Sequence, residues 1–258
     1  MKTLIIYFSG SGNSYAIAKK LAEKLGKTVV VPVKKHNEKK IGEFDRIGFV
    51  FPVYSIHAPK FLMEALKTIK FQGQQIFLVA THAGSKGYAV SELRSIIAEN
   101  KISNLQEFRV RMPGSGILEY GAFPDRIQKF LLKRSENRVI KITKAINKNQ
   151  KTKRIRANLL AVLFKKDGDK RFHNYTEKGK LFYNDEKCNS CGMCMKICPA
   201  QNISMRNNKP YWGGNCQQCM ACIQWCPTDA VKHPDLKEGR KKYHHPEISL
   251  QNFLSEIK

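Results

Sequence analysis

Apolar residues fall in strand-length runs through the first half of the chain: TLIIYF (3–8), TVVVPV (28–33), RIGFVF (46–51), QIFLVA (75–80) and FRVRM (108–112). The runs are near-continuous rather than alternating, as strands covered on both faces require. Between them, AIAKKLAEKL (16–25), PKFLMEALKTI (59–69) and YAVSELRSIIAE (88–99) space their apolar residues at helical intervals. A fifth helix, from Asp125 to about Lys148, closes the unit. Strand–helix alternation with right-handed crossovers predicts a doubly wound α/β domain on a five-stranded parallel sheet.

The pattern changes near Gln150. Residues 150–179 carry many lysines and arginines around the apolar run LLAVLF (159–164). They read as a basic helix packing one face on a domain, or as a helix for a membrane surface or a docking partner. The predicted division is 1–149, a connecting segment 150–179, and a small unit 180–258. The tail KKYHHPEISLQNFLSEIK packs back on that unit or forms a terminal helix.

All eight cysteines lie between Cys188 and Cys226, in two runs of one pattern separated by 28 residues (Cys188 to Cys216). Each run spaces three cysteines by two residues, then places a fourth (Cys198, Cys226) one residue further on, followed by proline. Clustered cysteines indicate metal rather than disulfides, and a reduced, cytosolic setting. Thiolates suit either zinc or iron–sulfur cubes. Zinc sites favour CxxC pairs separated by longer loops, whereas three thiolates in one tight loop can hold three corners of a cube. The small residues Gly192 and Ala221 would let backbone amides approach the sulfides. His244 and His245 read as packing or surface residues.

The double run resembles the signature of bacterial two-cluster ferredoxins, a small α+β domain in which the fourth cysteine ligates the other cluster. That resemblance implies two 4Fe–4S clusters, one on Cys188, Cys191, Cys194 and Cys226, the other on Cys198, Cys216, Cys219 and Cys222.

The first strand runs into SGSGNS (9–14) and then a helix. A hydroxyl- and glycine-rich turn at a helix N-terminus is a place for an anion. The hydroxyls of Ser9, Ser11 and Ser14 and the side-chain amide of Asn13 can add donors. The Walker lysine is missing, and Gly10 and Gly12 lack the third glycine of a dinucleotide fingerprint. The loop resembles the flavodoxin phosphate loop, with Ser9, Ser11, Gly12 and Ser14 at matching positions. This implies FMN, its phosphate on Ser9–Ser14 and its ring between two further loops. These are Pro52, Val53, Tyr54 and Ser55 after the third strand, with Tyr54 able to stack, and Thr81, His82, Ala83 and Gly84 after the fourth.

Together the halves resemble flavodoxin–ferredoxin fusion proteins. Two departures stand out: MPGSG (112–116) where the family reads MPxN, and Ala83-Gly84 where paired glycines are frequent.

The resemblance implies an electron carrier or oxidoreductase component passing electrons between clusters and FMN. Two alternatives are a cluster-fed FMN reductase of a quinone-like small molecule, and a redox-sensing nucleic-acid-binding module. The formal charge of +25 suits an acidic redox partner such as a ferredoxin, an anionic membrane or nucleic acid, or simply solvated lysines. No nucleic-acid motif accompanies the charge. The opening MKTLIIYF imitates a signal peptide, but its apolar run is too short, and no run in the sequence has bilayer length.

Overall fold

In the computed structural model, which describes residues 1–85, 87–99, 102 and 104–257, the first half is a five-stranded parallel sheet. Its strands are β1 (Thr3–Tyr7), β2 (Thr28–Pro32), β3 (Arg46–Pro52), β4 (Gln75–His82) and β5 (Leu105–Arg111), in the order β2-β1-β3-β4-β5. Helices α1 (Asn13–Leu25), α2 (Lys60–Thr68), α3 (Ala89–Ala98) and α4 (Asp125–Asn147) cover it.

Strand alternation divides β1 between two cores. Ile5 and Tyr7 face Leu21, Val139 and Ile142 of α1 and α4, whereas Leu4 and Ile6 face Leu62, Leu66 and Leu93 of α2 and α3. Burial on both faces is why these strands read as continuous apolar runs.

Two expectations need correction. The helix from Asp125 is the fourth, because residues 33–43 between β2 and β3 make two short 3-10 turns. That stretch, VKKHNEKKIGE, offers no apolar face to bury. β5 also begins three residues earlier than Phe108, since Leu105 pairs with Ile76.

The connecting segment is not one helix. An extended stretch leads into α5 (Leu159–Leu163), α6 (Lys165–His173) and α7 (Tyr175–Gly179). Its apolar run does not form a buried stripe: Ala161 is buried, but Leu159, Val162, Leu163 and Phe164 are exposed. Instead, Gly168 of α6 lies against the Ile56 side chain, and Gly179 of α7 lies where a Cβ would fall 2.1 Å from Cβ of Cys216.

The second half comprises β6 (Tyr183–Asn184), α8 (Met193–Ile197), the hairpin β7 (Ile203–Arg206) and β8 (Lys209–Trp212), α9 (Ala221–Gln224) and β9 (Val231–Lys232), which pairs with β6. The internal repeat is also a repeat of backbone conformation. Left-handed residues recur 28 apart at Ser190 and Gln218, Gly192 and Met220, and Gln201 and Asp229. Gly192 therefore corresponds to Met220, not Ala221.

The tail ends in α10 (Leu250–Ile257) and packs on both halves. Phe253 stacks on Tyr15 of α1 with ring centroids 5.5 Å apart and meets Trp225 at 5.4 Å. Ile197, Ala221, Trp225, Ile248 and Phe253 thus extend the α1/α4 core, so the halves share one apolar interior. Among the described residues, no helix is long and apolar enough to cross a membrane.

Candidate functional site

The sheet order reverses between β1 and β3, where doubly wound domains bind ligands beyond the carboxyl ends of their strands. A cavity of about 440 Å³ opens there. Ser9, Gly10, Ser11, Asn13 and Ser14 line it after β1, Pro52, Val53, Tyr54 and Ser55 after β3, and Thr81, His82 and Ala83 after β4. Three separate sequence stretches thus converge on one volume.

The loop after β1 fits a phosphate. Gly12 precedes α1 at φ 88° with no side-chain capping bond, which leaves the first-turn amides without a side-chain acceptor. The Ser9 hydroxyl is buried and has no hydrogen-bond partner among the described residues. A buried orphan hydroxyl beside uncapped amides is a site prepared for an anion's oxygens.

Several expected contacts differ. The Asn13 amide donates to the Pro113 carbonyl at 2.9 Å, and its side-chain oxygen accepts from the Tyr243 hydroxyl at 2.7 Å, so the side chain is structural. Ser14 shares a hydrogen bond with Thr81 at 2.8 Å. Gly12 lies outside the cavity lining and faces His245 and Ile248 of the tail. Gly84 also lies outside it, its carbonyl 3.0 Å from His82 Nδ1. Lys86, in the loop after β4, falls outside the described residues. Tyr54 lines the cavity but meets Phe8 edge-on at 6.2 Å, with its hydroxyl bonded to the Gly10 backbone. Burial, first, and then neighbouring Cys219 hold that hydroxyl well above the usual phenol range.

The turn after Tyr54 is strained. Ser55 and Ile56 have φ 42° and 70°, a conformation a β-branched residue rarely adopts. It is held by the Ile56 carbonyl, which accepts from the Tyr88 amide at 2.6 Å, and by His57. His57 is buried between two carboxylates: Nδ1 bonds Glu92, and Nε2 bonds Asp169 of α6 at 2.9 Å. Burial pulls the imidazole pKa down, but Glu92 and then Asp169 outweigh it and raise the net value above 6.5. Through these two carboxylates His57 clasps the connecting segment to the cavity loop, most firmly when its imidazole is protonated. A raised folded-state pKa adds stability that is complete below the unfolded value and lost as pH rises through the folded one. The melting-temperature advantage of wild type over His57→Gln should shrink from pH 6.5 upward; thermal melts across that range check it, and an advantage that grows with pH would contradict the clasp.

Residues from beyond the first half complete the wall. Arg171, Tyr175 and Lys178 of the connecting segment line the cavity, as do Gln218, Cys219 and Met220 of the second cysteine run. Arg171 pairs with Glu119 at 2.9 Å and Lys178 with Asp235 at 3.0 Å. Local patterning carries no signal for these, because the chain's return over the sheet edge brings them there. Pro113–Gly116 also line it, and the position of that loop after β5 was the available clue.

The cysteines fall into two neighbourhoods. Cys194 lies within electrostatic reach of Cys226, Cys191 and Cys188, and Cys222 within reach of Cys219, Cys216 and Cys198. The fourth cysteine of each run thus stands with the other run's triplet. Amides point at two sulfurs, Asn202 N–H to Cys198 at 3.3 Å and Gln218 N–H to Cys216 at 3.4 Å. Burial pushes the Cys194 and Cys216 thiols up to about 11, and pushes Cys219 and Cys222 further. Such thiols keep their protons until a metal displaces them. Among the described residues no three His, Cys, Asp or Glu side chains converge on one metal ion. A cube needs no such point, since each cysteine binds a different iron. His245 is buried, which lowers its pKa to about 4, and His244 stacks on Trp225 at 4.4 Å; both pack, as expected.

These features define a class: a flavin-binding type of α/β domain whose ligand cavity is walled by an iron–sulfur type of cysteine unit. Residues 4–95 match the flavodoxin domain family, and residues 187–231 match the 4Fe-4S dicluster domain family. The chain is a flavodoxin–ferredoxin fusion, an iron–sulfur flavoprotein of electron transfer whose domains imply FMN and iron–sulfur clusters. Among solved structures, an archaeal flavodoxin is 17% identical over 57% of this chain and 99% of its own, with a TM-score of 0.41. An FMN-bound flavoprotein from Lactobacillus acidophilus is 18% identical over 43% of this chain and 92% of its own, with a TM-score of 0.35. No curated protein matches the chain.

Proposed function

We propose that the chain holds FMN in the cavity and two 4Fe–4S clusters on its two cysteine sets, and that it passes electrons between external one-electron carriers and the flavin. When bound, clusters exchange single electrons and FMN one or two, so the pair joins single-electron to pairwise chemistry. The carrying observation is that Cys219, of the inner cysteine set (Cys198, Cys216, Cys219 and Cys222), also lines the cavity with Ser9, Gly10, Ser11, Asn13 and Ser14. The uncapped amides and Ser9 hydroxyl bind the phosphate, while Pro52–Ser55 and Thr81–Ala83 border the ring. Cys219 and Met220 close the inner wall and exclude water from it.

The outer set faces solvent through Cys191, which is exposed. Lys187 and Lys196, both exposed, stand next to Cys188 and within α8 in the chain, and exposed Lys209 donates its Nζ to the Cys188 carbonyl at 3.2 Å. An acidic redox protein, such as a small ferredoxin, docks on this basic rim, attracted by charge.

Anaerobic purification should yield iron and sulfide in equal amounts, about eight of each per FMN. Cys191→Ser should lose about half the iron and keep its flavin, whereas Cys219→Ser should lose about half the iron and also bind flavin more weakly. A colourless protein holding zinc would overturn the reading. Reoxidation by acidic carriers should slow as salt rises; turnover only with quinones would move the function to a reductase.

A further inference from the structure

The connecting segment turns one side to the redox site and leaves the other uncovered. Leu159, Val162, Leu163 and Phe164 are 72%, 54%, 66% and 57% exposed, and they stand within six residues of chain on α5 and the turn after it. Between Lys151 and Lys166 there is no acidic residue. Lys151, Lys153, Arg154, Arg156, Lys165 and Lys166 are all exposed. Among the described residues, only Lys165 pairs with an acid, Asp169 at 2.5 Å.

We infer that this segment is a membrane-surface anchor, which seats the protein on anionic lipid by inserting Leu159, Val162, Leu163 and Phe164 among the headgroups while the flanking cations meet lipid phosphates. Charge complementarity selects this occupant. A bilayer surface offers apolar chains directly beneath a layer of anions, so one partner satisfies both halves of the pattern. A protein partner would need an apolar pocket of this shape inside an acidic patch. Either feature alone would be weak: a single apolar element gives marginal binding, and cations alone give binding that salt abolishes. Neither Gly168 nor Gly179 need move, so the cavity contacts survive docking. The anchor is independent of which cofactors the chain holds, so its test can fail while the redox reading stands.

The test uses the holoprotein and sedimentation with phosphatidylglycerol-containing vesicles, against pure phosphatidylcholine vesicles. The charge of +25 alone would draw the protein to anionic lipid, so the decisive variants separate the apolar residues from the charge. Leu163→Ser/Phe164→Ser, with unchanged charge, should lower partitioning at physiological salt by about tenfold or more. Lys153→Glu/Arg154→Glu/Arg156→Glu should lower it further than Lys133→Glu/Lys141→Glu/Lys144→Glu, which changes the same charge on α4. Phe164→Trp should show blue-shifted emission on anionic vesicles. Retained flavin and cluster absorbance verifies that each variant is folded. Equal loss from both charge triples, unchanged partitioning of the serine variant, or no emission shift would overturn the anchor, and binding of an acidic protein with vesicles ignored would replace it.

Discussion

Gly10→Ala is expected to release flavin and disturb the inner cysteine loop in a single step. A Cβ at residue 10 would lie 2.2 Å from the Cys219 carbonyl oxygen and 3.0 Å from both Cys219 Cβ and the Tyr54 hydroxyl. The first contact is with backbone, which cannot swing aside as a side-chain end would. Relief requires either the phosphate loop or the cysteine loop to shift, and the Trp225 indole, which donates to the Gly10 carbonyl at 2.9 Å, would shift with it. Overpacking of this kind costs about 1–3 kcal/mol. Spread over the loop proposed to hold the phosphate, it should weaken FMN by about tenfold or more, at about 1.4 kcal/mol per decade. Flavin fluorescence titration and iron analysis on the same sample read both effects. Gly84→Ala is the control, because no atom lies within 4 Å of its added Cβ. A Gly10→Ala protein that binds FMN like wild type would show that the two loops do not share the site.

The second large effect is on the joint between halves. Trp225→Ala should destabilise the whole chain rather than the cluster unit alone. The indole is 5% exposed, stacks on His244, meets Phe253 at a tilt, and reaches Gly10 with its N–H. Removing a buried tryptophan costs about 3–5 kcal/mol. At about 2–4 °C per kcal/mol for a chain of this size, melting should fall by roughly 6–20 °C. Trp225→Phe keeps one aromatic ring and loses the hydrogen bond, worth about 1 kcal/mol, with part of the indole's packing, so its melt should fall less than that of Trp225→Ala. If Trp225→Ala instead gives two separate transitions with the flavodoxin half unshifted, the halves are not one cooperative core.

Much of this arrangement was legible along the chain. The apolar runs give four strands within two residues of their observed ends, because burial on both faces leaves a local signature. The early start of β5 escaped notice because LQEFRVR mixes polar residues into an edge strand that needs only one neighbour. The place of the loop after β1 at the cavity was legible from glycine and hydroxyl residues set between a strand and a helix. Asn13 was read as a ligand donor, and only packing shows its side chain taken at both ends. The connecting segment read as one helix, yet it folds as three short ones, whose Gly168 and Gly179 fit closely against Ile56 and Cys216.

By itself, the chain's order of residues determined the strand and helix runs, the glycine- and hydroxyl-rich loop after β1 and the two cysteine runs, since each is written in one short continuous stretch. Tertiary structure alone decided that Cys219 walls the cavity, that Arg171 and Lys178 line it too, and that the tail packs on both halves. Those placements depend on chain segments far apart in number meeting in space. Spacing does not encode such meetings; close packing enforces them.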